Sequence, residues 1–170
     1  WGLRGFSQSL KQENTNINAL RLKNKTLGLI GAGRIASSLA LKMKNIIGDI
    51  HFYDPYVAAG YEKVLGAFRH DKLESLLGNV DIVSIHTPLT EETEGLVNQD
   101  FIDSMKHGSI LINTARGGIL SSHSFLYDAL SSGKILAVGL DVLPEEPPII
   151  NSKDAFLHSW IDLKSEFADR

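Results

Sequence analysis

From Thr26 to about Leu140, short apolar runs alternate with stretches of helical periodicity. The runs predict strands over Leu27–Ile30, Ile50–Tyr53, Asp81–His86, Ser109–Asn113 and Ile135–Leu140, with a weaker one near Ala67–Arg69. Ile82-Val83-Ser84-Ile85 and Ile110-Leu111-Ile112 are nearly continuous in apolar character, as parallel strands covered on both faces are. Helices are predicted over Arg34–Asn45, Tyr61–Leu65, Asp71–Leu77, Asn98–Met105 and roughly His123–Ser131. In the first helix Ile35, Leu39 and Met43 share one face, and Ser37, Ser38, Lys42 and Lys44 fall mostly elsewhere. Gly78, Gly108 and Gly133 follow three of the helices, where a left-handed C-cap favours glycine. This alternation predicts an α/β fold: a doubly wound parallel sheet with right-handed crossovers. Residues 1–25 read as a polar lead-in, 26–150 as the folded domain, and 151–170 as a helix followed by a polar tail.

Composition narrows the field without deciding it. A chain of 170 residues can bury a sizeable core, and 43% hydrophobic with 22% charged residues is ordinary for a globular domain. The net charge of −3 gives no reason to expect nucleic acid or an anionic membrane as partner. With no cysteine, disulfides and thiolate chemistry are excluded, which fits a cytoplasmic protein. No apolar run approaches the roughly 18 residues that span a bilayer. The chain starts at Trp1 rather than Met, as a processed or excised chain would.

The densest chemical signal is Leu27-Gly28-Leu29-Ile30-Gly31-Ala32-Gly33-Arg34-Ile35-Ala36. A strand, two glycines one residue apart, a third small residue and a helix form the G-x-G-x-x-G/A dinucleotide fingerprint. Gly31 permits the tight turn, Gly33 lets a pyrophosphate approach the backbone, and Ala36 lets the helix pack closely. The helix N-terminus offers N–H groups and a positive dipole end to phosphate, with Arg34 in reach of it. Asp54 lies 18 residues past Ala36, near the roughly 20 at which an acid meets the adenosine ribose. Its carboxylate repels a 2′-phosphate, which favours NAD over NADP. No metal ligation is expected. The competing reading is a doubly wound domain with a glycine-rich turn and no ligand.

Three further segments follow strands, at the edge where open α/β sheets bind ligands. They are His86-Thr87-Pro88-Leu89-Thr90, Asn113-Thr114-Ala115-Arg116-Gly117-Gly118 and Asp141-Val142-Leu143-Pro144-Glu145-Glu146-Pro147. With the fingerprint and Tyr53-Asp54-Pro55-Tyr56, their order and spacing resemble the NAD-binding Rossmann domain of the D-isomer-specific 2-hydroxyacid dehydrogenases. That family includes the C-terminal-binding-protein corepressors. The resemblance implies an oxidoreductase that moves a hydride between NAD(H) and a 2-hydroxy or 2-keto acid. Its alternative is an NAD-sensing corepressor. Arg116 would clamp the substrate carboxylate, as a planar, permanently charged guanidinium suits. Glu146, directly before Pro147 as in the family pattern, would bond and orient a catalytic histidine; its neighbour Glu145 is the competing choice. Gly31, Ala32, Gly33, Arg34, Ile35, Asp54, His86, Thr87, Pro88, Thr114, Ala115 and Asp141 would form the cofactor site, and the family implies a homodimer.

The family's acid/base histidine sits in a Thr-Pro-His turn, and this chain has none. His158 lies in Phe156-Leu157-His158-Ser159-Trp160, which reads as an amphipathic helix. The chain therefore reads as the cofactor domain of a two-domain enzyme, with the substrate domain outside it. Alone it is expected not to turn over 2-keto acids.

Overall fold

The computed structural model describes residues 21–122 and 124–142. Expectations for most of the lead-in, for the segment after Val142 and for the tail lie outside those residues, as do Glu145, Glu146 and His158. Six strands are present: β1 (Leu27–Ile30), β2 (Ile50–Tyr53), β3 (Phe68–His70), β4 (Ile82–Ile85), β5 (Ser109–Asn113) and β6 (Ile135–Leu140). The helices are α1 (Arg34–Met43), α2 (Tyr61–Leu65), α3 (Leu73–Leu77), α4 (Gln99–Ser104) and α5 (Ser124–Ser131). Short 3-10 turns occupy Leu22–Asn24 and Gly117–Ile119. The strands form one sheet in the order β3-β2-β1-β4-β5-β6, and every pairing is parallel. The winding reverses between β1 and β4, which makes their shared C-terminal end a crevice.

Both faces of the sheet are covered. Leu27 and Leu29 of β1 pack with Phe52, Ile82, Ala36 and Ala40 on one side. Ile30, Val83, Ile85 and Leu111 pack with Leu76, Leu77, Ile102 and Leu126 on the other. The near-continuous apolar strands follow from this double cover: all four residues of β1 and of β4 are buried. At Gly28 an added Cβ would stand 2.7 Å from a Val80 methyl, so close approach demands glycine there.

Two local expectations are corrected. The inward stripe of α1 is Ala36 and Ala40, flanked by Leu39 and Met43, while Ile35 is 73% exposed. That face packs in the buried cluster with Leu27, Leu29 and Phe52 of β1 and β2. Gly78 caps α3 in the right-handed region (φ −72°), not the left-handed one. Its N–H donates to the Glu74 carbonyl and the chain rolls on into Asn79, so no reversal is needed. Gly108 and Gly133 do take positive φ, both 72°. Element ends also move slightly: α1 stops at Met43 rather than Asn45, and β3 begins at Phe68 rather than Ala67.

At the N-terminal edge, away from the crevice, Asp81 ties three elements together. The Thr26 N–H and hydroxyl both donate to its Oδ2 at 3.0 Å, and Lys106 Nζ donates to Oδ1 at 2.8 Å. Burial alone would raise this carboxyl, but the Lys106 and Thr26 hydrogen bonds outweigh burial and bring it down to about 2. A depressed carboxyl stabilises fully above its unfolded value of 3.8 and loses that contribution as pH falls toward about 2. Allowing for solvent screening at the half-exposed Lys106, the pairing contributes about 1–2 kcal/mol. Asp81→Asn is expected to lower unfolding free energy by that amount at pH 7. Urea unfolding should also show a flatter acid limb between pH 4 and 2 than the parent chain; matching curves would contradict the assignment.

Candidate functional site

The site is built where β1 leaves the sheet. Gly31 takes φ +84°, and its N–H donates to the Tyr53 carbonyl at 2.9 Å. A Cβ there would lie 3.0 Å from Thr87 Cγ2 and 3.1 Å from the Thr87 backbone nitrogen. Glycine is therefore required twice, by conformation and by space. On the β4 side the His86 N–H donates to the Ile30 carbonyl at 2.8 Å. On the β2 side Ala32 N–H donates to Asp54 Oδ2 at 2.8 Å, and Tyr56 N–H donates to Asp54 Oδ1 at 2.8 Å. Gly33 then starts α1 with no side-chain cap, no acid in the first turn, and nothing within 4 Å of where a Cβ would stand. The first-turn N–H groups have no intrahelical partners, so this end suits an anion.

A cleft of about 670 Å³ opens over this junction. Of the residues assigned to the cofactor from the sequence, Gly31, Gly33, Asp54, His86, Thr87 and Pro88 line it. So do Tyr56, Leu73, Glu91, Glu92 and Leu96, which sequence reasoning did not assign. His86 Nε2 lies 2.9 Å from the Ser84 hydroxyl, and burial lowers the imidazole below its usual value. Thr87 Oγ1 is buried with no hydrogen-bond partner among the described residues. An orphaned hydroxyl, an open glycine and an uncapped helix end on one cleft fit a phosphate-bearing ligand. The Tyr56 hydroxyl donates to the Glu92 carboxylate, and that bond, foremost, raises the phenol above its usual value.

The remaining candidates share the edge but not the cleft. Thr114, Ala115 and Arg116 follow β5 and Asp141 follows β6, so the parallel sheet brings them to the C-terminal side with the fingerprint. Asn113, fully buried, shapes their turn: its amide donates to the Arg116 carbonyl and its oxygen accepts from Ala115 N–H, each at 3.0 Å. Arg116 is exposed and its Nη1 donates to the Ala115 carbonyl at 2.7 Å. The Asp141 N–H donates to the Asn113 carbonyl at 3.0 Å. Arg34 and Ile35 are exposed in the first turn of α1, and Ala32 is buried beneath it. Asn113 carried a signal that could have been read, a polar residue closing an apolar strand. Tyr56 and Glu92, 36 residues apart, carried none.

The family model for the D-isomer specific 2-hydroxyacid dehydrogenase NAD binding domain matches residues 2–162. This chain belongs to that family. The D-3-phosphoglycerate dehydrogenase of Bacillus subtilis is 40% identical over 130 residues, covering 76% of this chain and 24% of the relative. That of Archaeoglobus fulgidus is 36% identical over 138 residues, covering 81% of this chain and 26% of the relative. The chain thus spans about a quarter of the curated relatives it matches. Among solved structures, apo D-mandelate dehydrogenase of Rhodotorula graminis superposes with a TM-score of 0.72 at 35% identity, covering 88% of this chain and 42% of that one. The pyruvate reductase of Chlamydomonas reinhardtii gives a TM-score of 0.79 at 28% identity, over 99% of this chain and 52% of that one. These relatives are dehydrogenases and a reductase, which lends the corepressor alternative no support. The cofactor of this NAD-binding domain is NAD, and the residues of the cleft fit it.

Gly31→Ala forces a side chain into the left-handed region against β4. It is expected to cost about 1–3 kcal/mol of stability and to weaken NAD binding in the folded fraction. Urea denaturation paired with calorimetric titration would check both; an unchanged midpoint would contradict the packing described.

Proposed function

We propose that the polypeptide carrying this domain is an NAD-dependent D-2-hydroxyacid dehydrogenase, in which this domain holds the dinucleotide along the C-terminal edge of its sheet. The observation that supports it best is the placement of Arg116 and Asp141 on the same edge as the β1 exit and Asp54. When bound, NADH would supply the hydride that reduces the 2-keto acid, and NAD would accept it in the reverse direction. Asp54 binds the adenosine ribose: two backbone N–H groups already use part of the carboxylate, and its further lone pairs remain for hydroxyls. The α1 N-terminus and the Thr87 hydroxyl hold the pyrophosphate, and Pro88 shapes the loop beside it. Asp141 binds the nicotinamide carboxamide beside Thr114 and Ala115. Arg116 takes the carboxylate of a 2-keto or 2-hydroxy acid with two parallel N–H donors and polarises the adjacent carbonyl. Glu146 orients an acid/base histidine and raises its pKa toward neutrality. The relatives are named for different acids, consistent with a shared cofactor half and a choice of acid made elsewhere in the protein. A cytoplasmic homodimer belongs to the same proposal, supported by the resemblance and the cysteine-free composition.

NAD(H) is expected to bind more tightly than NADP(H), because Asp54 meets the 2′ position. Isothermal titration with both cofactors decides it, and equal or tighter NADP(H) binding would sink the assignment. Asp54→Ala should weaken NAD binding by roughly 1–3 kcal/mol, the range for charge-assisted hydrogen bonds. It should also cost about 1 kcal/mol of stability, because Ala32 and Tyr56 lose an acceptor.

In the full-length protein, NADH oxidation should be followed with glyoxylate, pyruvate and hydroxypyruvate. Arg116→Ala is expected to lower kcat/KM by about 10²-fold or more, with NAD affinity nearly unchanged. Full activity in that variant would remove Arg116 from the substrate site.

A further inference from the structure

The last side chain of β5 differs in kind from those that close the strands beside it. β1 and β4 end on buried apolar residues, Ile30 and Ile85, whereas β5 ends on Asn113, which is fully buried. A buried amide is costly unless its donor and acceptor are both bonded. Here both are spent on the turn that follows: Oδ1 accepts from Ala115 N–H and Nδ2 donates to the Arg116 carbonyl, each at 3.0 Å. The same carbonyl accepts from Ile119 N–H at 3.4 Å, which leads into the Gly117–Ile119 turn. That turn is fastened in its own right, since Gly95 N–H donates to the Gly118 carbonyl at 3.0 Å and Val97 N–H to the Ile119 carbonyl at 2.9 Å. The main chain of Asn113 serves β6 instead. It pairs in register with Leu140, and its carbonyl accepts from Asp141 N–H at 3.0 Å. One buried residue thus holds the backbone of Arg116 by its side chain and the backbone of Asp141 by its carbonyl.

We infer that Asn113 is a positioning residue: it fixes the Arg116 turn relative to Asp141, and so sets where the substrate carboxylate sits against the nicotinamide. The inference rests on the roles proposed for Arg116 and Asp141. Hydride transfer depends on the alignment of the two reactants, and a misplacement of about 1 Å can cost on the order of 10²-fold in rate. Arg116 is exposed, and its Nη1 bonds back to the Ala115 carbonyl at 2.7 Å. The course of the turn, rather than packing around the guanidinium, therefore decides where that group stands. An apolar side chain at position 113 would close the strand but offer nothing to the Ala115 N–H or the Arg116 carbonyl. The turn could then shift while the backbone bond to Asp141 stayed in place. An ionised aspartate would keep the acceptor for Ala115 and lose the donor to Arg116.

The test compares the full-length parent with Asn113→Ala, Asn113→Asp, Arg116→Ala and the Asn113→Ala/Arg116→Ala pair. NADH oxidation with the keto acid is expressed per NAD site counted by calorimetry, below the melting temperature of each variant, so that a lower folded fraction does not pass for a slower enzyme. Asn113→Ala is expected to lower kcat/KM for the keto acid by about ten- to a hundredfold. NAD affinity should change by less than about twofold, because the main-chain bond to Asp141 remains. Asn113→Asp preserves the side-chain shape and should show the same split, which keeps the comparison open if the alanine variant does not fold. In the Arg116→Ala background, Asn113→Ala should cost less than about twofold more, as expected of two residues that act through one another. Unchanged kcat/KM per site in the Asn113 variants, or a loss of NAD affinity as large as the loss in kcat/KM, overturns the positioning role. An undiminished effect of Asn113→Ala in the Arg116→Ala background overturns its action through Arg116. If Arg116→Ala alone keeps full activity, the assignment of Arg116 to the substrate falls instead.

Discussion

The way β1 leaves the sheet is the constraint on which the rest of this site depends. β1 runs between β2 and β4, and its C-terminal residue is sewn to both neighbours within two peptide units. The Gly31 N–H goes to Tyr53, the Ile30 carbonyl accepts from His86, and Ala32 N–H goes to Asp54. Only a positive φ turns the chain upward at once, and only a missing Cβ lets that turn sit against Thr87. A bulkier exit would push the β4 loop away and displace the start of α1. The crevice, the open helix end and the placement of Asp54 all follow from this one turn.

Parallel pairing then converts one turn into a site. Because every strand points the same way, the residues after β1, β2, β4, β5 and β6 must emerge on one edge. Loops from distant parts of the chain meet there without long excursions. The opposite edge carries Asp81, Thr26 and Lys106, a polar tie that serves stability rather than binding. The cleft over β1 and β4 is the adenosine half of the proposed cofactor site. The Arg116 turn, shaped by buried Asn113, stands on the nicotinamide side of the proposed arrangement.

Much of this was legible in the chain because it follows from local rules. Buried parallel strands are apolar throughout, so their positions could be read from runs such as Ile82 to Ile85. The fingerprint could be read because a strand, a tight turn and a helix must follow one another at fixed spacing. What escaped depends on distance or on close packing. Ile35 was read on one face with Leu39 and Met43, but the helix packs on the sheet through Ala36 and Ala40 and leaves Ile35 in solvent. Asp54 was read as a ligand residue alone, because its hold on Ala32 N–H requires the folded register of β1 and β2. The Tyr56–Glu92 bond joins two loops across the winding reversal, and no local periodicity announces it.

The β1 exit and its neighbours across the β2 and β4 ends are the proposed receptor for the cofactor. Backbone amide NMR of the domain during NAD titration measures this directly. The largest shifts are expected at Gly31 to Ile35, Asp54 to Tyr56 and His86 to Thr93. The Ala32 amide should stay protected from exchange by its bond to Asp54, and Asp81 and Lys106 should stay unmoved. Shifts concentrated at the Asp81 edge or along α4 and α5, with the β1 exit unchanged, would contradict it.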